Sequence, residues 1–372
     1  MKLIEIITLH RVTNFGSLLQ TYATEQILKK LGYAVKIIDF VPEGLSFKRA
    51  IWPKCGSIFK KTIKFFPLLA CNIFQFHISD HFLKKYVTLT DKKYHSYSEL
   101  QTRRLEADIY LSGSDQVWNT QNNNPNEDLG AYYLAFCDDK PRIAYAGSFG
   151  RTSFSSEEME RIKQWLSQYT AISVREDTGT QILNEMGLKG THVVDPTFLL
   201  TKRDWLEFYN STRANLPKGG YVFVYNLNRN KLVEEIAQRI AKNQGLRIVN
   251  FADTFEFVHG AENKIFNSPF DFLGYLTNAD YVITDSFHGT SFSLNMEKQF
   301  VTVAAPKYNS RIESVLRMMH CEDRLVTSVE DALKMCSQRI DYSCISYEVS
   351  KQRKRSMKYL ENALYECECN RK

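Results

Sequence analysis

One pattern constrains this chain more than any other: short apolar runs, each broken by a polar, glycine-bearing loop and then followed by helical periodicity. Residues 280–294 read DYVITDSFHGTSFSL. Tyr281, Val282 and Ile283 make a run too short for a helix and right for a strand buried on both faces. Asp285 and Ser286 are helix-starting residues, and Gly289 lets the backbone turn tightly before the helix continues. Such a turn gathers backbone N–H groups and the positive end of a helix dipole in one place, beside the imidazole of His288. Alone, it reads more simply as a packed turn whose histidine bonds a neighbouring carbonyl. Repetition of the layout gives it weight.

The layout recurs along the chain. Residues 3–9 read as a strand and 10–16 as a polar loop. A helix with apolar Leu18, Leu19, Tyr22, Ile27, Leu28 and Leu31 follows, closed by Gly32 before a second strand at 34–39. This βαβ unit implies a parallel sheet with right-handed crossovers. Further strands are expected at 107–111, 142–146, 171–174 and 191–194, each entering a polar loop. Residues 210–220, rich in Asn, Ser, Pro and Gly, suit a linker. A second set of strands is expected at 221–225, 246–251, 280–284 and 300–304. The expected class is therefore α/β, with two Rossmann-like domains. The expected division is 1–210 for the N-terminal domain, 211–345 for the C-terminal domain and 346–372 for a helix packing back on the first. Ligands of open parallel sheets bind outside the carboxyl ends of the strands, so sheets facing across a cleft are expected, and the last helix is long enough to cross back onto the first domain, by analogy with two-domain glycosyltransferases.

A chain of 372 residues exceeds one ordinary core, and 44% hydrophobic with 13% aromatic residues belongs to a folded globular protein. No run of eighteen apolar residues occurs, so no membrane-spanning helix is expected. The first residues carry Glu5 inside a strand-like run with no cleavage site behind it, unlike a signal peptide. Eight scattered cysteines then read as the reduced thiols of a cytoplasmic protein. Cys367 and Cys369 lack a second ligand pair, so no metal is expected. The missing three-glycine fingerprint argues against a dinucleotide cofactor. A net charge of +6 suits anionic ligands more than nucleic acid. Residues 43–105 break the rhythm by alternating basic and aromatic residues. That stretch suits either contact with an anionic membrane surface through residues 48–76 or an inserted helical pair covering the sheet.

Seven motifs in register carry a resemblance. They are TLHRVTNFGS at 8–17, GSDQVW at 113–118, YAGSFG at 145–150, SVRE at 173–176, VDPT at 194–197, DSFHGT at 285–290 and SRI at 310–312. Together they resemble the polysaccharide pyruvyl transferase family. The resemblance implies a GT-B-like fold and transfer of a pyruvyl group from phosphoenolpyruvate to a sugar, usually as a ketal bridging two hydroxyls. It also implies a role in cell-surface polysaccharide assembly, without nucleotide, flavin or nicotinamide. The acceptor would be a glycan or a lipid-linked oligosaccharide at the inner face of the membrane. The alternatives are a nucleotide-sugar glycosyltransferase of the same architecture and a non-catalytic glycan- or anion-binding protein.

The donor's chemistry sorts the candidate residues. Its phosphate suits the N–H groups of Gly289 and Thr290 and the hydroxyls of Ser286 and Thr290. Its carboxylate suits the planar guanidinium of Arg175 or Arg311. Arg175 also reads as the ion-pair partner of Glu176 or Asp177, and Arg311 as a surface arginine. His288 could give a proton to the methylene carbon or take one from the acceptor hydroxyl. Asn14, Ser17, Asp115, Gln116 and Trp118 offer the acceptor hydroxyl-binding groups and an apolar ring face. Asp115 reads first as a cap of the turn that follows it and second as a base.

Overall fold

A computed structural model describes residues 1–12, 14–42, 58–103, 105–120, 128–137, 139–210, 219–252, 257–304 and 309–369, with the side chains of 58–68 left undescribed. The chain divides into two units. One comprises Met1–Trp52, Ser79–Leu199 and Gln352–Lys372, and the other Pro53–Ile78 and Leu200–Lys351.

The first unit is built on seven strands: β1 (Leu3–Ile7), β2 (Ala34–Phe40), β3 (Leu89–Tyr94), β4 (Ile109–Ser112), β5 (Arg142–Gly147), β6 (Ala171–Val174) and β7 (Thr191–His192). They pair in the order β3-β2-β1-β4-β5-β6-β7, every pair parallel. Ile4 on β1 faces Val35 on one side and Ile109 on the other, and all three are buried. Such central strands read as nearly continuous apolar runs because helices cover both faces. The helix Phe15–Lys30 turns Leu18, Leu19, Ala23, Ile27 and Leu28 into the core.

The expectation that residues 43–105 form a helical insert is corrected here. A helix spans Ile58–Tyr86, and behind it β3 adds to the sheet edge beside β2, with Ile37 opposite Leu89. The sequence of β3, LTDKKY, exposes its central residues and so lacks the apolar signature of a buried strand. The expected membrane contact at 48–76 falls largely on residues outside the description: 48–57 altogether, and the side chains of 58–68.

The last helix, Tyr342–Cys369, ends in the first unit. There the Ser356 hydroxyl accepts from Val194 N at 3.0 Å, and the Tyr359 hydroxyl donates to Ala144 O at 3.0 Å.

The second unit holds β8 (Tyr221–Tyr225), β9 (Arg247–Phe251), β10 (Glu262–Lys264), β11 (Tyr281–Thr284), β12 (Gln299–Val303) and β13 (Leu325–Val326). Their order is β10-β9-β8-β11-β12-β13, again all parallel. Val222, Val224, Ile283 and Val301 pack against Ile236 and Ile240 of the helix Lys231–Gln244. Gly245, at φ +63°, ends that helix in the left-handed conformation that glycine adopts most cheaply.

In both sheets the first strand of the set sits inside, and strand order reverses beside it. The reversal lies between β1 and β4 in one unit and between β8 and β11 in the other. In open α/β sheets such a reversal opens a crevice at the carboxyl ends of the strands, where ligands bind. The two α/β units with parallel sheets are the class expected from the sequence.

Candidate active site

In the first unit the loops leaving the strands' carboxyl ends are tied together by two residues that directly follow β6. Arg175 and Glu176 are both buried. The Arg175 guanidinium donates to Asp195 Oδ2 and to Asp115 Oδ1, each at 3.0 Å, with Glu176 Oε2 at 4.0 Å from its Nε. Burial alone would lower the arginine's pKa, but the carboxylates of Asp115, Asp195 and Glu176 outweigh it and raise it. Glu176 Oε1 accepts from Ser148 Oγ at 2.9 Å and Phe149 N at 3.0 Å, which fastens the loop after β5. Asp195 also accepts from Ser114 Oγ at 2.8 Å and Thr197 N at 3.0 Å. Asp115 accepts from Ser17 Oγ and from Gln116 N. Its φ of +79° costs a non-glycine residue on the order of 1 kcal/mol, which these bonds hold in place. Ser17, Asp115, Gln116 and Arg175 therefore meet in one buried network.

Asn14 caps the helix Phe15–Lys30, its Oδ1 accepting from Ser17 N at 3.3 Å. Gln116 Oε1 accepts from Asn119 Nδ2 at 2.7 Å. Trp118, expected to offer a ring face to a sugar, is instead 0% exposed. Its ring stacks on Tyr133 at 5.5 Å and 7° and packs on Phe149 at 5.1 Å. A Cβ at Gly147 would come within 2.7 Å of the indole, so that glycine admits the ring. The tryptophan serves the packing beneath these loops. Nearby, Arg11 grips both oxygens of Asp39 at 2.8 and 2.7 Å, and His10 Nε2 lies 3.2 Å from the same carboxylate.

In the second unit β11 ends at Thr284, and the helix Phe287–Asn295 starts three residues later. Ser286 is its N-cap, with its Oγ accepting from Gly289 N at 3.3 Å. The Thr290 hydroxyl lies 3.0 Å from Ser286 O and 2.8 Å from Thr302 Oγ1. The Thr290 N–H donates to Ser286 O at 2.9 Å. Gly289 N–H and both Thr290 groups, expected to meet a phosphate, are thus engaged within the cap and with Thr302 of β12. Glycine is needed at 289 because a Cβ there would overlap the Thr284 hydroxyl.

His288 is buried in the helix's first turn, 5.2 Å from the Phe287 ring at 77°. Arg311, near the start of the helix Ser310–Met318, has its guanidinium carbon 5.9 Å from the same ring's centroid, within cation–π range. His288 and Arg311 are thus brought to one aromatic ring in this unit, whereas Arg175 belongs to the other unit.

Sequence reading does not single out residues 226–230, the loop after β8. Asp285, read as a helix starter, instead accepts from Leu227 N at 2.7 Å and Asn228 N at 2.9 Å. Burial raises its pKa, partly offset by those N–H groups. Asn226 Oδ1 accepts from Asn230 N at 2.9 Å, and Asn230 Oδ1 from Leu232 N at 3.0 Å, capping the next helix. The available signal was a pair of asparagines four apart, directly after an apolar strand.

Among the described residues no group of three His, Cys, Asp or Glu is arranged to hold a metal ion, and no helix is long and apolar enough to cross a membrane. The arrangement offers a titratable ring, a guanidinium and a helix N-terminal end around one switch point. Those are the groups that bind an anion and move a proton.

Solved structures with a similar course include UDP-GlcNAc 2-epimerase from Neisseria meningitidis bound to UDP-GlcNAc, at 10% identity and TM-score 0.55 over 98% of this chain and 100% of that one. A putative UDP-N-acetylglucosamine 2-epimerase from Listeria monocytogenes matches at 10% identity and TM-score 0.54 over 96% and 90%. The S. aureus MnaA–UDP co-structure matches at 12% identity and TM-score 0.51 over 98% and 97%. At such identities the likeness is one of fold alone. No curated protein sequence matches the chain. The sequence model described as polysaccharide pyruvyl transferase matches residues 14–305, most of the chain, and the protein belongs to that family.

Proposed function

We propose that the protein moves the pyruvyl group of phosphoenolpyruvate onto a sugar of a cell-surface polysaccharide or its lipid-linked precursor. The product is a ketal across two hydroxyls, and inorganic phosphate is released. The observation that carries this reading is His288 in the first turn after β11, with Arg311 against the same Phe287 ring.

His288 delivers the proton that the donor's methylene carbon gains, and one acceptor hydroxyl adds to the neighbouring carbon. The carbon–oxygen bond to phosphate then breaks as the second hydroxyl adds. The first hydroxyl's proton returns to His288, and the second leaves with phosphate. Arg311 grips the donor carboxylate through paired N–H groups. The phosphate lies at the N-terminal end of the helix Phe287–Asn295, where the Ser286 hydroxyl can donate to it. Gly289 and Thr290 shape that cap. Arg175, whose guanidinium is bonded to Asp115 and Asp195, acts in this reading by holding the acceptor loops that carry Asn14, Ser17 and Gln116.

Incubation with phosphoenolpyruvate and an array of glycans should release phosphate and give an acceptor heavier by pyruvate less one water, with chelator present. Release of UDP from a sugar nucleotide as the sole reaction would overturn the proposal in favour of a glycosyltransferase. Loss of turnover in chelator would refute metal independence. The reaction is assigned to the cytoplasm, at the inner face of the membrane when the acceptor is lipid-linked. Ile73 and Phe74 are 47% and 43% exposed on the helix Ile58–Tyr86, and Phe74 packs on Phe266 at 4.6 Å. These exposed apolar side chains support lipid contact, read as sedimentation with anionic vesicles at low salt and release at high salt.

A further inference from the structure

We infer that Asp285 is a positioning residue, which spans the switch point of the second sheet and makes the loop at 226–230 the second wall of the donor site. The inference rests on the donor reading above. β8 and β11 are hydrogen-bonded neighbours, with Thr284 opposite Tyr225 at their carboxyl ends. Two helices leave those ends side by side, one capped by Asn230 and the other by Ser286.

Asp285 sits one residue before the second cap and reaches back to the first loop. Its two oxygens accept from Leu227 N at 2.7 Å and Asn228 N at 2.9 Å. The Asn228 side chain also donates to this carboxylate. The far end of the loop is fastened separately, Asn230 Nδ2 donating to Ala304 O at 3.2 Å beyond β12. The loop is therefore held at both ends against the strands that flank His288. A carboxylate buried to 2% exposure and bonded to main-chain amides of another loop fixes geometry and reaches no ligand itself.

The sign of one substitution separates this role from simple charge. Asp285 carries negative charge beside the place assigned to an anionic donor. If it acted only as a neighbouring charge, its neutralisation would tighten donor binding. If it positions the loop, Asp285→Asn weakens binding despite the more favourable charge, because an amide nitrogen would face one of the two N–H donors.

The experiment is calorimetric titration of the full chain with phosphoenolpyruvate, well below each variant's unfolding temperature. Asp285→Asn should bind about tenfold more weakly than the unaltered chain, and the milder Asn228→Ala about threefold more weakly. Asp285→Glu should recover part of the loss. Equal or tighter binding by Asp285→Asn overturns the inference and leaves the donor reading standing. If Asp285→Asn does not fold, Asn228→Ala decides alone, and unchanged affinity there overturns the inference. Failure of the unaltered chain to bind phosphoenolpyruvate removes both.

Discussion

The two sheets share one strand order and put opposite chemistry at the place where it reverses. In the first unit the reversal is filled with side-chain charge. One buried guanidinium is bonded to two carboxylates, and a third lies 4.0 Å away. In the second unit it is lined by a helix cap, hydroxyls and an imidazole, and its carboxylate Asp285 is bonded to main-chain amides. The first arrangement holds loops in register. The second leaves a helix end and an imidazole at the switch point, the groups on which the proposed chemistry rests. A shared topology thus fixes where function can sit, while the residues placed there decide which kind.

Three measurements sharpen or break this contrast. The largest effect should come from His288→Ala, with turnover reduced about 10²–10⁴-fold at little cost in stability. Steady-state phosphate release alongside thermal unfolding checks it, and retained turnover would leave the second switch point without its chemistry. Arg175→Met should act the other way, destabilising the fold by about 3–5 kcal/mol because it strands buried carboxylates. Unchanged denaturant stability with a steeply raised donor requirement would instead make Arg175 a donor ligand, and the contrast would fail.

The smallest effect is a difference in pH dependence. For Asp39 in the first unit, burial alone would raise the pKa, but hydrogen bonds from His10 and Arg11 hold it well below the usual range. Its contribution to stability is present above the unfolded value of about 3.9 and lost as pH falls through the folded one. Asp285 is shifted upward by burial. Its contribution is complete below about pH 3.9 and is lost as pH rises through its folded value. As pH rises past about 3.9, the unfolding curves should therefore move to opposite sides of the parent, Asp39→Asn losing stability relative to it and Asp285→Asn gaining. Departures on the same side would show that amides and guanidinium act alike.

Central strands were legible because burial on two faces leaves an apolar run: β6 and β8 lie at the limits read from sequence. Three of the four edge strands were not. LTDKKY in β3, ENK in β10 and the two-residue β13 carry little or no apolar pattern. The histidine turn was legible from its strand–loop–helix grammar, and so was the convergence of Ser17, Asp115 and Gln116. The partners of Arg175 were not, since adjacent Glu176 and Asp177 look like its natural pairs. Its guanidinium instead reaches carboxylates 60 and 20 residues away. Trp118 misled for a related reason. A residue in a polar loop motif reads as accessible, yet its indole fills the space beneath the loop.

The closing helix sets an order of events during synthesis. Ser356 bonds Val194, Tyr359 bonds Ala144, and Tyr33 donates to Glu368, so the first unit is completed by a helix 162 to 335 residues further along. A ribosome that has delivered every strand of the first sheet still holds back the segment that seals it. Maturation of that unit must await emergence of this helix, and removing residues 352–369 should injure the sheet it covers.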